Sequence, residues 1–335
     1  MVKLSILDQS PVISGQTPAA AIHATLELAE AADRLGYHRY WLAEHHATVA
    51  LADPCPEVLL GQLGACTQRI RVGTGGVLLP YYSPLKVAEV FRMHEALFPG
   101  RVDLGIGRAP GGSLLTARAM NAEAFLGEDR FPLQVQELLG YLDDTLPPEY
   151  PYHTVKAMPA GTTSPEVWLL GSSDYSGALA AYLGLRFAFA HFINAHGGDG
   201  VMRAYRADFR PSYRERRACA MLAVFVICAP TQDEAEALAA SIDLRRYQMS
   251  RGIDAPIATM EQAQAFVYSD EARAIVQRER ARAIIGAPQA VKARLLALQE
   301  QFGADELMVI TITGDYVSRL RSYELLASAF GLSPT

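Results

Sequence analysis

The 335-residue sequence predicts an α/β protein made of a single (β/α)8 TIM barrel, and three observations point there. Short β-rich runs alternate with longer amphipathic segments from end to end, the pattern of parallel strands joined by crossover helices. The apolar runs number eight, which favours a closed barrel over a doubly wound sheet. The residues just after those runs are unusually polar, as expected where a barrel carries its chemistry at the C-terminal strand ends.

The expected strands are 4–8, 38–43, 70–78, 102–106, 167–170, 186–191, 221–228 and 306–311. Helical patterns fill 18–35, 55–67, 84–98, 134–142, 175–183, 201–215, 232–246 and 289–302, and a further one, 315–330, follows the last strand. Thr17 before Pro18 and Thr231 before Gln232 supply N-cap oxygens, and Gly36, Gly184 and Gly303 stand where helices should stop. One domain therefore spans 1–335, with insertions after strands four and seven. The first, about 145–165, is rich in Pro, Tyr and Thr; the second, about 247–286, is polar, helical and Arg-rich, and is expected to form a lid.

Composition narrows the function classes. Half the residues are hydrophobic, and 30 Lys and Arg against 36 Asp and Glu give a net charge of −6. The one basic run, 203–217, reads as a solvated helix face, so nucleic acid is not an expected partner. Cys55, Cys66, Cys219 and Cys228 form no Cys-x-x-Cys pair, which suits buried thiols in a reducing compartment and signals no metal cage. The first residues are too short and polar a stretch for a signal peptide, and no apolar run is long enough to span a bilayer. A cytoplasmic protein without a membrane partner is expected.

The strand ends supply the candidate site. Strand one ends in Asp8-Gln9-Ser10, strand two in Glu44-His45-His46, strand four in Gly107-Arg108 and strand six in His191-Phe192. A carboxylate beside two imidazoles suits proton transfer near neutral pH; the plainer reading is a solvated cluster. The spacing is not that of a zinc helix, although His45, His46 and His191 leave a metal-dependent hydrolase open. Strand three carries Gly73-Thr74-Gly75-Gly76, which fits either a flat ligand against the backbone or a crowded constriction. Gly171-Ser172-Ser173 precedes a helix, so amides, hydroxyls and the positive helix end converge on an anion site unless the serines merely cap. Arg108 can reach that rim and add charge. Gly105-x-Gly107 has Pro110 where a dinucleotide fingerprint needs its third glycine, which excludes a Rossmann reading.

Several blocks together resemble the luciferase-like flavin monooxygenases, the family of bacterial luciferase and of alkane and sulfonate monooxygenases. They are Tyr40-Trp41-Leu42-Ala43-Glu44-His45-His46, the 70–80 stretch through Gly75-Gly76, the 97–108 stretch ending in Gly107-Arg108, Leu170-Gly171-Ser172-Ser173, and Gly303-Ala304-Asp305-Glu306-Leu307-Met308-Val309. The resemblance implies FMN, used as FMNH2 from a separate flavin reductase, reacting with O2 through a flavin 4a-hydroperoxide to oxidise a small organic substrate such as an aldehyde. It implies His45 as catalytic base, Glu44 beside the flavin ring and Gly75-Gly76 as a bulge, often a cis peptide, against that ring. It places the phosphate at Arg108, Ser172, Ser173 and Tyr175. Asp8, Gln9, His191 and Phe192 are expected to line the substrate pocket. A homodimer through the helices at 55–67 and 84–98 is also implied. Luciferase has a reactive Cys and an acidic residue where this chain has Gly107 and Gly171, so light emission is not implied. The rivals are a deazaflavin-dependent hydride transferase and a flavin-binding barrel without catalysis.

Overall fold

A computed structural model describes residues 2–125 and 129–333. Nine parallel strands are present: β1 (Lys3–Asp8), β2 (Arg39–Leu42), β3 (Arg71–Leu78), β4 (Val102–Gly107), β5 (Glu166–Gly171), β6 (Arg186–Ala190), β7 (Ala220–Cys228), β8 (Ala283–Gly286) and β9 (Glu306–Ile310). Eight of them close a barrel in the order β1 to β7 and then β9, which returns to β1. The flanking helices are α1 (Pro18–Leu35), α2 (Pro56–Cys66), α3 (Pro84–Leu97), α4 (Leu114–Met120), α5 (Phe131–Asp143), α6 (Asp174–Leu183), α7 (Gly198–Ala207), α8 (Gln232–Ser250), α9 (Met260–Ala265), α10 (Asp270–Arg280), α11 (Pro288–Phe302) and α12 (Tyr316–Phe330). Among the described residues no helix is long and apolar enough to cross a membrane.

Several elements differ from expectation, among them α4, an additional helix. The helix expected at 201–215 ends at Ala207, because Pro211 cannot donate a helical hydrogen bond and its ring clashes with the preceding turn. Strand β8 is additional. The first residues of the fully buried β7 pair with β6, Phe187 opposite Ala220 through Ala190 opposite Ala223. Its last residues pair with β8, Phe225 opposite Ala283 through Cys228 opposite Gly286, so β6 and β7 part company at the C-terminal end. The second insertion is anchored to the barrel along its first part. Ile257 N–H donates to Val12 O at 2.8 Å, and Asp254 accepts from Thr48 Oγ1 at 2.7 Å and Val49 N at 2.8 Å, pinning the segment to the loops after β1 and β2.

Side-chain alternation builds the barrel interior in layers. At the N-terminal end Arg39 donates from Nη1 to Asp103 Oδ2 and from Nε to Glu306 Oε1, each at 2.7 Å, and all three are buried. Arg71 donates to Asp103 Oδ1 at 2.6 Å and Arg186 to Glu166 Oε2 at 2.7 Å, completing a charged plug. Above it Trp41 and Trp168 pack edge to face, ring centroids 5.6 Å apart, with Trp41 Nε1 donating to Asp103 at 2.9 Å. The layer above that is small, with Ala43, Gly75, Gly107, Ala190 and Ala223, and there the interior opens. The opposite faces, among them Leu4, Ile6, Tyr40, Leu42, Phe187 and Phe189, pack under the helices.

Candidate active site

The opening above the tryptophans is a cavity of about 300 Å³. Gln9, Glu44, His45, Gly75, Gly76, Arg108, Ser172, Ser173 and Phe192 line it, so nine of the proposed site positions converge on one space. Trp41, Leu7, Leu170, Ala188, Ala223 and Met308 form the deeper wall, which is apolar.

Three positions are not brought in. Asp8 follows Leu7 and so points outward beneath the helices, where it is buried and bonded to Arg319, Tyr40 and Ser10 N. His191 shares the outward parity of Phe187 and Phe189; its ring packs edge-on against Phe302, centroids 5.6 Å apart, and burial lowers its pKa. Neither lines the pocket, contrary to expectation, because a one-residue step along a strand reverses the face. The same geometry separates His191 from His45, and among the described residues no group of His, Cys, Asp and Glu side chains is arranged to hold a metal ion. Tyr175 does not line the cavity either; it lies beneath Arg108, the guanidinium carbon 4.0 Å from its ring centroid.

The residues after β2 divide their work. Glu44 is buried, and its carboxylate accepts from Leu78 N at 2.9 Å and Tyr82 OH at 2.6 Å, with His46 Nε2 at 2.7 Å. It therefore ties the end of β2 to the end of β3. Burial, then the bond to the Glu44 carboxylate, push the Tyr82 hydroxyl pKa upward. His45 is different. Burial lowers its pKa to about 4 against a hydrogen bond to the Ala43 backbone, so at neutral pH it offers an uncharged imidazole to the cavity. Its backbone N–H donates to Asp53 O at 3.3 Å. Burial, with Asp8, Glu57 and Glu44 nearby, raises the Asp53 carboxyl to about 7 against the single bond from Cys55 N. Asp53 was not foreseen, since a loop Asp before Pro54 reads as a turn.

The wall opposite is backbone. The Gly75–Gly76 peptide is cis, and the β3–β4 register shifts between Gly75 and Val77. A Cβ on Gly76 would stand 2.5 Å from both Gly105 O and Leu170 Cδ1, so the neighbouring strand leaves room only for glycine. At the end of β5 a Cβ on Gly171 would lie 2.2 Å from Ser176 Oγ, which places Ser176, unforeseen in sequence, under the turn. Ser173 is the N-cap of α6, yet its hydroxyl makes no capping bond and stays available. The first amides of α6, the two serines and Arg108 together give this rim the donors and charge that suit an anion. Arg108 is the one cationic side chain lining the cavity among the described residues.

Fold and site together define a (β/α)8 barrel with a cavity at its C-terminal end, where a backbone wall and a donor-rich rim stand beside a neutral imidazole. Residues 2–306 match the model of the luciferase-like monooxygenases, and the chain belongs to that family. It is 36% identical to the N-acetyl-S-alkylcysteine monooxygenase of Bacillus subtilis (strain 168), covering 98% of each chain. It is 37% identical to a luciferase-like monooxygenase of Escherichia coli (strain K12), covering 97% of this chain and 96% of that one. The crystal structure of apo-MsnO8 superposes with a TM-score of 0.91 at 40% identity, over 100% of this chain and 99% of that chain. At 19% identity the fold is shared, TM-score 0.71, with the oxygenating constituent of 3,6-diketocamphane monooxygenase from Pseudomonas putida in complex with FMN, over 100% and 98% of the two chains. An F420-dependent secondary alcohol dehydrogenase shares it at 13% identity and a TM-score of 0.64, each chain covered to 98%.

Proposed function

We propose that this chain is the oxygenating component of a two-protein, cytoplasmic flavin system that oxidises a small, largely apolar organic substrate such as an aldehyde. The observation that carries the reading is the shared cavity: an uncharged His45 imidazole, a backbone wall at Gly75–Gly76, and an anion seat at Ser172, Ser173 and Arg108. That donor set fits FMN, with the phosphate at the seat, supported from behind by Tyr175, and the ring against the backbone wall. When bound in its reduced form, FMN supplies two electrons, so that one atom of O2 enters the substrate and the other leaves as water.

The chain's own residues would do the rest. His45 moves a proton, for which an imidazole kept neutral by burial is ready at pH 7. Glu44 holds the ends of β2 and β3 in register beside it through Leu78 N. Gln9 and Phe192, with Ala188, Ala223 and Met308, form the wall a substrate meets, and their mostly apolar character keeps water out. Reduced FMN would come from a separate flavin reductase. The exposed Val58, Met93 and Leu97 on α2 and α3 support a homodimer through those helices, which light scattering tests.

The deciding experiment mixes the protein and reduced FMN with labelled O2 in the presence of aldehydes, ketones and thioethers. One labelled oxygen atom per product molecule is expected. Hydride transfer from a reduced deazaflavin without O2 uptake refutes the oxygenase in favour of a hydride transferase, and binding of FMN without turnover of any substrate favours a barrel without catalysis.

A further inference from the structure

Arg108 stands between two spaces. One is the central cavity; the other, also of about 300 Å³, is lined by Pro80, Phe125, Asp129, Phe131 and Gln134. The guanidinium is held toward the second. Its Nη1 lies 3.0 Å from Asp129 Oδ2. Asp129 is itself fixed, since Oδ2 also accepts from Tyr175 OH at 2.5 Å and Oδ1 accepts from Phe131 N at 3.1 Å. An anion arriving at the Ser172–Ser173 turn therefore meets an arginine whose charge is already engaged. Nothing else lining the cavity is cationic among the described residues, and Asp174 adds a further negative charge in the first turn of α6.

We propose that Asp129 competes with the phosphate of the flavin for Arg108, so that the phosphorylated flavin is held weakly enough to exchange between this protein and a reductase. The inference rests on the flavin reading above. The Arg108 and Asp129 side chains are 45% and 41% exposed, and a pair so open to water contributes little by itself, so an incoming phosphate can take the arginine over. The carboxylate remains beside it after the exchange. A phosphate on the same guanidinium stands about two hydrogen-bond lengths from that carboxylate, roughly 6 Å. At that distance, in a water-like medium, a dianion and a single charge repel enough to cost about tenfold in affinity.

The test compares FMN with riboflavin, which has the same ring and no phosphate, by fluorescence titration of the intact protein and of Asp129→Asn and Asp129→Ala. Both variants are expected to bind FMN about tenfold tighter at low ionic strength, with the gain shrinking in high salt and riboflavin binding unchanged. Unchanged or weaker FMN binding in the variants overturns the inference, the weaker case making Asp129 a residue that positions Arg108. Equal tightening of riboflavin overturns it too, because the effect is then not on the phosphate. If neither the native protein nor the variants bind FMN, the flavin reading falls and takes the inference with it.

Discussion

Replacing His45 with Asn should flatten the acid limb of the stability curve, and the size of the effect follows from burial. In the unfolded chain His45 takes a proton near pH 6.5; in the folded cavity it takes one only near about 4. Between those values the unfolded state binds more protons, so folding stability falls as the pH drops through the window. The interval of about 2.5 pH units, at about 1.4 kcal/mol per unit, makes the full loss about 3.5 kcal/mol from this one side chain, of which about 3 kcal/mol has accrued by pH 4. Below pH 4 both states are protonated and the penalty is constant. The assay is urea denaturation at half-unit steps from pH 4 to 7 on the native protein and on His45→Asn. His38, His94 and His191, whose pKa values burial also lowers, are retained in both proteins and cancel in the difference. A difference curve that rises by about 3 kcal/mol on acidification is expected, whatever fixed offset the lost ring volume adds. Parallel curves would show that His45 is already protonated or well solvated when folded. They would remove the physical basis for its service as a neutral base.

Asp53 has the opposite sign: its folded pKa of about 7 exceeds its ordinary 3.8, so the folded form loses stability as pH rises through that interval. Asp53→Asn should therefore be more stable than the native protein above pH 7, by up to about 4 kcal/mol, with the two converging near pH 4; thermal melts across pH 4 to 9 check this. Arg39→Met leaves the buried Asp103 and Glu306 carboxylates without their shared partner and should cost about 3–5 kcal/mol, read as a lower urea midpoint at unchanged slope. Gly171→Ala should destabilise by about 1–3 kcal/mol through its clash with Ser176, and Ser176→Gly in the same chain should recover most of that loss, which a double-mutant cycle measures.

The barrel was legible because its strands are short, apolar and evenly separated by helical patterns, and eight such runs leave few other architectures. What the reading missed has physical causes. β8 is four residues, Ala283 to Gly286, following an Arg-rich helix whose polarity masks it, and its pairing depends on where β6 stops along β7. Asp129 carries no signal in sequence, since its partner Arg108 is 21 positions away, on the other side of α4. Pro211, by contrast, was visible and marks why α7 ends before the expected 215.

The misplacement of Asp8 and His191 has a single origin that also explains why the cavity exists. Position along the chain places polar strand-end residues at the site, while the barrel sorts them by parity. Once Trp41 is placed inward, Ala43 and His45 face the same way by alternation, as do Leu7 in β1 with Gln9 just after it, and Ala188 and Ala190 in β6 with Phe192 just after it. Asp8 and His191 then fall on the helix side, where each must find partners: Asp8 has Arg319 and Tyr40, whereas His191 Nδ1 has none and burial keeps the ring neutral. Along the inward parity, residue size decides depth. Charges fill the first layer, two tryptophans the second, and glycine and alanine the third, so the interior is solid up to Trp41 and Trp168 and hollow above them. The site is therefore set by where, along the inward faces, bulky residues give way to small ones, and His45 stands one step above that change.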